Sequence, residues 1–206
     1  MTLLNDIKYP QHIFDKPYDF TNNNKSDIQS LVHLINFLGD DLVGLELGVS
    51  RGESFMTLLH NCPNIRTLHG IDSYKPYTDF LKEPYDGSAA YVVGYKEIDL
   101  VKSIAMNYFE FSGMREKIHM HQMDSEEALQ FIDDESLDFI FIDTYMTYEQ
   151  AYRDFNSWYP KLKKGGLFSG HDWTTSPIRR AVFEFREQLN IENTMSAFDN
   201  CFCWYK

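Results

Sequence analysis

Five short apolar segments, each closing on or beside an acidic residue, constrain this chain more than any other feature. They read LVGLEL with Glu46, RTLHGID with Asp72, KIHMHQMD running to Asp124, LDFIFID with Asp143, and GGLFSGHD with His171-Asp172. Helix-periodic stretches separate or follow them: SFMTLLHNC, a helix in 91–113 that closes at Gly113, SEEALQFI, YEQAYRDFNSWY and IRRAVFEFREQL. Strands that alternate with helices cannot pair as hairpins and lie side by side in parallel, with helices over both faces. The expected fold class is therefore α/β, with a central, mainly parallel sheet. NTMSAF and CFCWYK, around Asp199-Asn200, read as an antiparallel C-terminal hairpin and bring the strand count to seven.

Ahead of the first strand, SDIQSLVHLINFLGD carries Ile28, Leu31, Ile35 and Leu38 on one helical face, with Ser26 as N-cap and Gly39 as stop. Residues 1–24 hold Pro10, Pro17 and TNNN and read as an extended arm. The expected organisation is thus an arm over 1–24 and a single domain over 25–206, a length that suits one sizeable core.

Composition removes some partners. Lys and Arg total 19 against 31 Asp and Glu, a net charge of −12, and such a surface repels phosphate backbones. A nucleic-acid partner is not expected. MTLLNDIKYP has no charged-then-apolar signal pattern and no run approaches a membrane span, so a cytoplasmic protein without a membrane partner is expected. Cys62, Cys201 and Cys203 lack metal-ligand spacing and read as buried small hydrophobes.

In open parallel sheets, ligands bind beyond the carboxyl ends of the strands. The acids stand there. The first turn, Glu46-Leu47-Gly48-Val49-Ser50-Arg51-Gly52, has neither the G-x-G-x-x-G of dinucleotide sites nor the Gly-Lys-Ser/Thr of a P-loop. A carboxylate at the strand end suits a ligand with a positive group, and Gly48 lets the backbone approach it. Gly48 and Gly52 also fit a plain strand-to-helix turn. Asp72, followed by Ser73, is placed to accept both hydroxyls of a ribose. Asp124 and Ser125 suit the exocyclic amine of an adenine, although Asp124-x-x-Glu127 is equally a helix-capping pattern. An ammonium, a ribose and an adenine without phosphates describe S-adenosylmethionine (SAM).

With GIDS, HQMDSEEAL and PKLKKGGLFSGHDW in this order, the chain resembles class I SAM-dependent methyltransferases from about residue 26 to its end. DFIFIDTYMTYEQAYRDFNSWYPKLKKGGLFSGHDW resembles their small-molecule O-methyltransferase branch, methyltransferase 24, whose relatives include sugar O-methyltransferases. The resemblance implies a Rossmann-like SAM-methyltransferase fold. It implies SAM contacts through Glu46, Gly48, Ser50, Gly52, Asp72, Ser73, Asp124, Ser125 and Asp143, and a small-molecule acceptor, with assembly state left open, a homodimer included.

In that family the segment after the fourth strand reads Asp-x-x-His-x-Tyr, the aspartate helping to hold a divalent metal and the histidine acting as base. Here it reads Asp143-Thr144-Tyr145-Met146-Thr147-Tyr148. A thioether takes no proton at neutral pH, so the family's base is absent at Met146. Asp143 and Asp172 are candidate ligands for Mg²⁺ or a similar hard cation. His171 is the stronger candidate base and Tyr145 the weaker. The aromatic loop 73–87, with Tyr74, Tyr77, Phe80 and Tyr85, reads either as an acceptor lid or as loop packing. Three functions remain open: an O-methyltransferase, a SAM-binding protein without that activity, and a nucleotide-sugar or nicotinamide enzyme.

Overall fold

The computed structural model describes residues 28–75, 95–145 and 147–206. The arm, Ser26, Tyr77, Phe80, Tyr85 and Met146 lie outside the described residues. The elements run α1 Gln29–Asn36, β1 Leu42–Leu47, α2 Glu53–Asn61, β2 Ile65–Ile71, α3 Tyr95–Phe111, β3 Ile118–His121 and α4 Ser125–Ala128. They continue with β4 Leu137–Ile142, α5 Tyr148–Trp158, β5 Leu162–Gly170, α6 Ser176–Gln188, β6 Ser196–Phe198 and β7 Cys201–Tyr205.

The sheet order is β3-β2-β1-β4-β5-β7-β6. Strands β1 to β5 pair in parallel, and β7 joins β5 and β6 antiparallel, as the alternating pattern and terminal hairpin predict. The strand order reverses beside β1, which places the crevice there.

Period-two alternation sorts the strands' side chains between two cores. Leu45 and Leu47 face the layer of Ala151, Phe155, Phe185 and Trp204. Phe139 and Phe141 face the opposite layer with Leu31, Phe55 and Phe109. Gly44 is part of this packing, since a Cβ there would lie 2.0 Å from the Phe139 ring. Cys62, Cys201 and Cys203 are buried thiols outside any disulfide among the described residues, in the hydrophobic role expected of them. No helix among the described residues is long and apolar enough to cross a membrane.

Two boundaries differ from the sequence reading. The fifth strand begins at Leu162, ahead of Gly165, because Leu162 pairs with Leu137 and Lys163 binds Asp138 at 2.7 Å. The third ends at His121, so Asp124 stands three residues beyond the sheet and caps α4.

The edge of the sheet also gathers three histidines. His69 Nδ1 lies 3.3 Å from His121 Nε2, and the His69 and His119 rings are 5.2 Å apart. Burial, with the repulsion of His119 and His121, pushes His69 down to about 4 from 6.5. A depressed histidine is charged in the unfolded chain before it is charged in the fold. Its stabilisation is therefore complete above about 6.5 and lost as the pH falls toward 4. Denaturant midpoints between these limits should fall less steeply for His69→Asn than for the natural chain. Equal slopes would refute the assignment.

Candidate active site

The turn after β1 is shaped by close backbone approach. Gly48 has φ +83°, and a Cβ there would lie 2.0 Å from the Asp143 carbonyl oxygen. Only glycine fits both demands. Gly48 N donates to Ile71 O at 2.9 Å and Asp143 N to Leu47 O at 2.8 Å, so the ends of β2, β1 and β4 are joined through the main chain. Gly52, also at positive φ, opens α2 against the Phe109 ring.

Asp72 binds the first two loops together. One carboxylate oxygen accepts Ser50 N at 2.8 Å and the other Tyr74 N at 2.8 Å, while the Tyr74 hydroxyl donates to Ser50 O at 3.0 Å. Burial raises the Asp72 carboxyl, and the amides of Ser50, Tyr74 and Val49 oppose that rise. Tyr74, the described member of the aromatic loop, is therefore a buried tie between loops.

A cavity of about 280 Å³ opens beside these loops, its wall including Gly48, Asp72, Ser73, Asp124, Ser125 and Tyr145. Across it, Lys75 Nζ reaches Asp124, whose carboxylate also belongs to the α4 capping box. Glu46 stands behind the turn, fully buried and off the cavity wall. Its Oε1 accepts the Ser54 hydroxyl at 2.5 Å, and its Oε2 has no hydrogen-bond partner among the described residues. Burial pushes this carboxyl well above the usual range; the Ser54 hydroxyl opposes the shift and the Asp143 and Asp72 charges add to it. A buried acceptor left without a donor is costly in the free protein and is answered by a cation or donor nearby.

Next to the cavity, the ends of β4 and β5 gather Asp143, His171 and Asp172 into a triad whose candidate ligand atoms all lie within 4.8 Å of one another. His171 Nδ1 is 3.1 Å from Asp172 Oδ1 and 3.5 Å from Asp143 Oδ1. Asp172 holds φ +59°, the left-handed turn that folds its carboxylate back toward His171. A void of about 10 Å³, lined by these three residues and by apolar side chains including Phe155, Ile178 and Phe202, has room for one water-sized occupant. Two carboxylates and an imidazole suit a divalent cation; without one, the carboxylates orient Nδ1–H and leave Nε2 to take a proton.

Tyr145 lines both spaces. Tyr148, the last residue of the Asp-x-x-His-x-Tyr pattern, instead donates to Glu184 Oε2 at 2.5 Å under the Arg180 guanidinium.

The methyltransferase 24 family, a methyltransferase domain, matches residues 45–173, from the end of β1 to just past the triad. The chain belongs to this methyltransferase family. Its fold is that of class I SAM-dependent methyltransferases. The O-methyltransferase NovP superposes with a TM-score of 0.63 at 19% identity, over 86% of this chain and 80% of that one. An O-methyltransferase from Bacillus cereus in complex with SAH superposes at 0.60 and 15% identity, over 100% and 96%. A Methanobacterium thermoautotrophicum protein described as precorrin 8w decarboxylase does so at 0.58 and 14%, over 88% and 90%. No curated protein sequence matches the chain.

One buried residue of this methyltransferase escaped the sequence reading. Asp154 is 1% exposed on α5, among Ala151, Phe155 and Trp158. A charge on the apolar stripe of an amphipathic helix is the signal that would have found it.

Proposed function

We propose that the protein transfers the methyl group of SAM to a hydroxyl of a small molecule, a sugar being the favoured class, with a divalent cation at Asp143 and Asp172. The observation that carries this reading is the placement of the Asp143–His171–Asp172 triad directly beside the Asp72 cavity. Asp72 and Ser73 hold the ribose, Ser125 with the Asp124 backbone meets the adenine, and Gly48 admits the amino-acid end. Ser50 and Gly52 shape that turn, and Glu46 behind it supplies negative field once the bound ammonium draws its buried carboxyl back toward the ionised form.

When bound, SAM supplies a methyl group on a positively charged sulfur. Transfer forms the acceptor O–C bond as the S–C bond breaks, and the hydroxyl proton must leave. A hydroxyl far from ionisation at neutral pH needs a base or a metal. Asp143 and Asp172 would hold the cation, which would supply Lewis-acid lowering of the hydroxyl's pKa, and His171 is the base or third ligand. Tyr145, shared by both spaces, positions the acceptor against the methyl group. Placing the two sites side by side makes the displacement a matter of orientation.

A second reading, a SAM-binding protein without transfer activity, rests on Met146 at the family's histidine position. Turnover on a panel of sugar and alkyl hydroxyls separates the two.

Calorimetric titration with S-adenosylhomocysteine (SAH) tests the cofactor half directly. Asp72→Ala should weaken binding by about 1.5–3 kcal/mol, the scale of a charge-assisted hydrogen bond. Unchanged affinity would remove Asp72 from the ribose site.

A further inference from the structure

Behind the cavity wall, Asp154 accepts hydrogen bonds from three elements. Ser125 Oγ donates at 2.7 Å, Thr144 Oγ1 at 2.8 Å and Gln150 Nε2 at 3.0 Å. All three donors line the cavity, whereas Asp154 itself does not. Ser125 comes from the start of α4, Thr144 from the turn after β4, and Gln150 from the first turn of α5.

An ionised carboxylate only accepts, and a serine or threonine hydroxyl carries a single hydrogen. Ser125 and Thr144 both spend that hydrogen on Asp154. What each has left for a ligand is a lone pair. Gln150 is oriented at both ends, because its Oε1 accepts Arg153 Nη2 at 2.7 Å while its amide nitrogen faces Asp154. The wall is thus polarised from behind: its hydroxyls are acceptors toward the cavity and cannot turn into donors while Asp154 is charged. Burial raises the Asp154 carboxyl, and the Ser125, Gln150 and Thr144 donors oppose the rise.

We infer that Asp154 is a specificity-determining positioning residue, which fixes Ser125 and Thr144 as hydrogen-bond acceptors and so selects a purine with an amino group over one with an oxo group. An exocyclic amine donates into such a wall. An oxo group at the same position brings acceptor against acceptor and leaves both unpaired, the situation in which a polar pocket rejects an analogue most strongly. The inference rests on the cavity being the adenosine site, as proposed above. It adds the origin of base selectivity in a residue that never touches the base.

The test compares SAH with S-inosylhomocysteine, which carries an oxo group in place of the amino group and a proton on the adjacent ring nitrogen. The natural chain should prefer SAH by about 10-fold or more, one hydrogen bond's worth of discrimination. In Asp154→Asn the side-chain amide can donate to one hydroxyl oxygen, freeing that hydrogen to turn toward the cavity. The preference should then shrink to within about threefold, chiefly through tighter inosine binding. A purely structural role would weaken both ligands alike and leave the ratio unmoved.

Ser125→Ala and Thr144→Val serve if Asp154→Asn does not fold, and at least one should reduce the ratio about threefold or more. A ratio unchanged in every variant that folds overturns the role of Asp154 while leaving the cofactor reading intact. A natural chain that binds neither nucleoside overturns the cofactor reading itself, and one that binds both equally overturns the selectivity alone.

Discussion

Asp143→Asn is expected to lower methyl transfer by about 10²–10⁴-fold, the range set by losing an activating group at the reacting hydroxyl. The substitution keeps shape and removes charge, so it reports electrostatics rather than packing. Asp143 has two proposed roles to lose, as a cation ligand and as a partner of His171, whose Nδ1 lies 3.5 Å away. Chelation separates them. If Asp143 and Asp172 act through a cation, EDTA should remove activity and Mg²⁺ or Mn²⁺ should restore it. If His171 is the sole base, His171→Gln should abolish turnover and EDTA should do nothing. Met146→His, which returns the family's base, should raise turnover on a sugar hydroxyl. An active preparation whose rate ignored chelator, Asp143→Asn and His171→Gln alike would sink this assignment of roles.

Gly48→Ala should be the most damaging small substitution in the site, destabilising the fold by about 2–5 kcal/mol. Two terms add. The residue sits at φ +83°, where a side chain is strained, and the new methyl would meet the Asp143 carbonyl at 2.0 Å. That neighbour is backbone, held by the bond from Asp143 N to Leu47 O, and cannot swing aside. Gly113→Ala is the matched control: it also has positive φ, but nothing lies within 4 Å of its added Cβ. The control should show the strain alone, about 1–3 kcal/mol. Thermal unfolding of both variants, with SAH titration of each, measures the difference; equal losses would mean that the contact with Asp143 is unimportant.

The strand ends were legible because a parallel strand must be apolar along its length and its polarity returns abruptly at the turn. This puts Asp72 and Asp143 at the ends of the second and fourth strands; the structure has each one residue past β2 and β4. Asp124 was less legible. Its strand stops at His121, and capping α4 and pairing with Lys75 engage its carboxylate. The start of β5 was hidden for a local reason: Leu162-Lys163-Lys164 looks like a solvated loop until Asp138 supplies a partner for Lys163. Burial was the other blind spot. The sequence offers Glu46 as a ligand-facing acid, but it is fully buried, and Ser54 takes one of its oxygens. Asp154 hid inside a helix whose period was otherwise regular, because two of its three partners, Ser125 and Thr144, are brought in by other elements.

One residue past β1, β2, β4 and β5, the main chain is pinned to the strand beside it. Asp72 N bonds to His121 O, Gly48 N to Ile71 O, Asp143 N to Leu47 O and His171 N to Ile142 O, at 2.9, 2.8 or 3.2 Å. These are main-chain bonds, indifferent to which side chain is attached. The site is therefore a rack of fixed sockets, in which one tool can be exchanged without re-aiming the rest. A lineage could trade an acid or a histidine at one socket and change its reaction in a single step, keeping its fold and its cofactor turn.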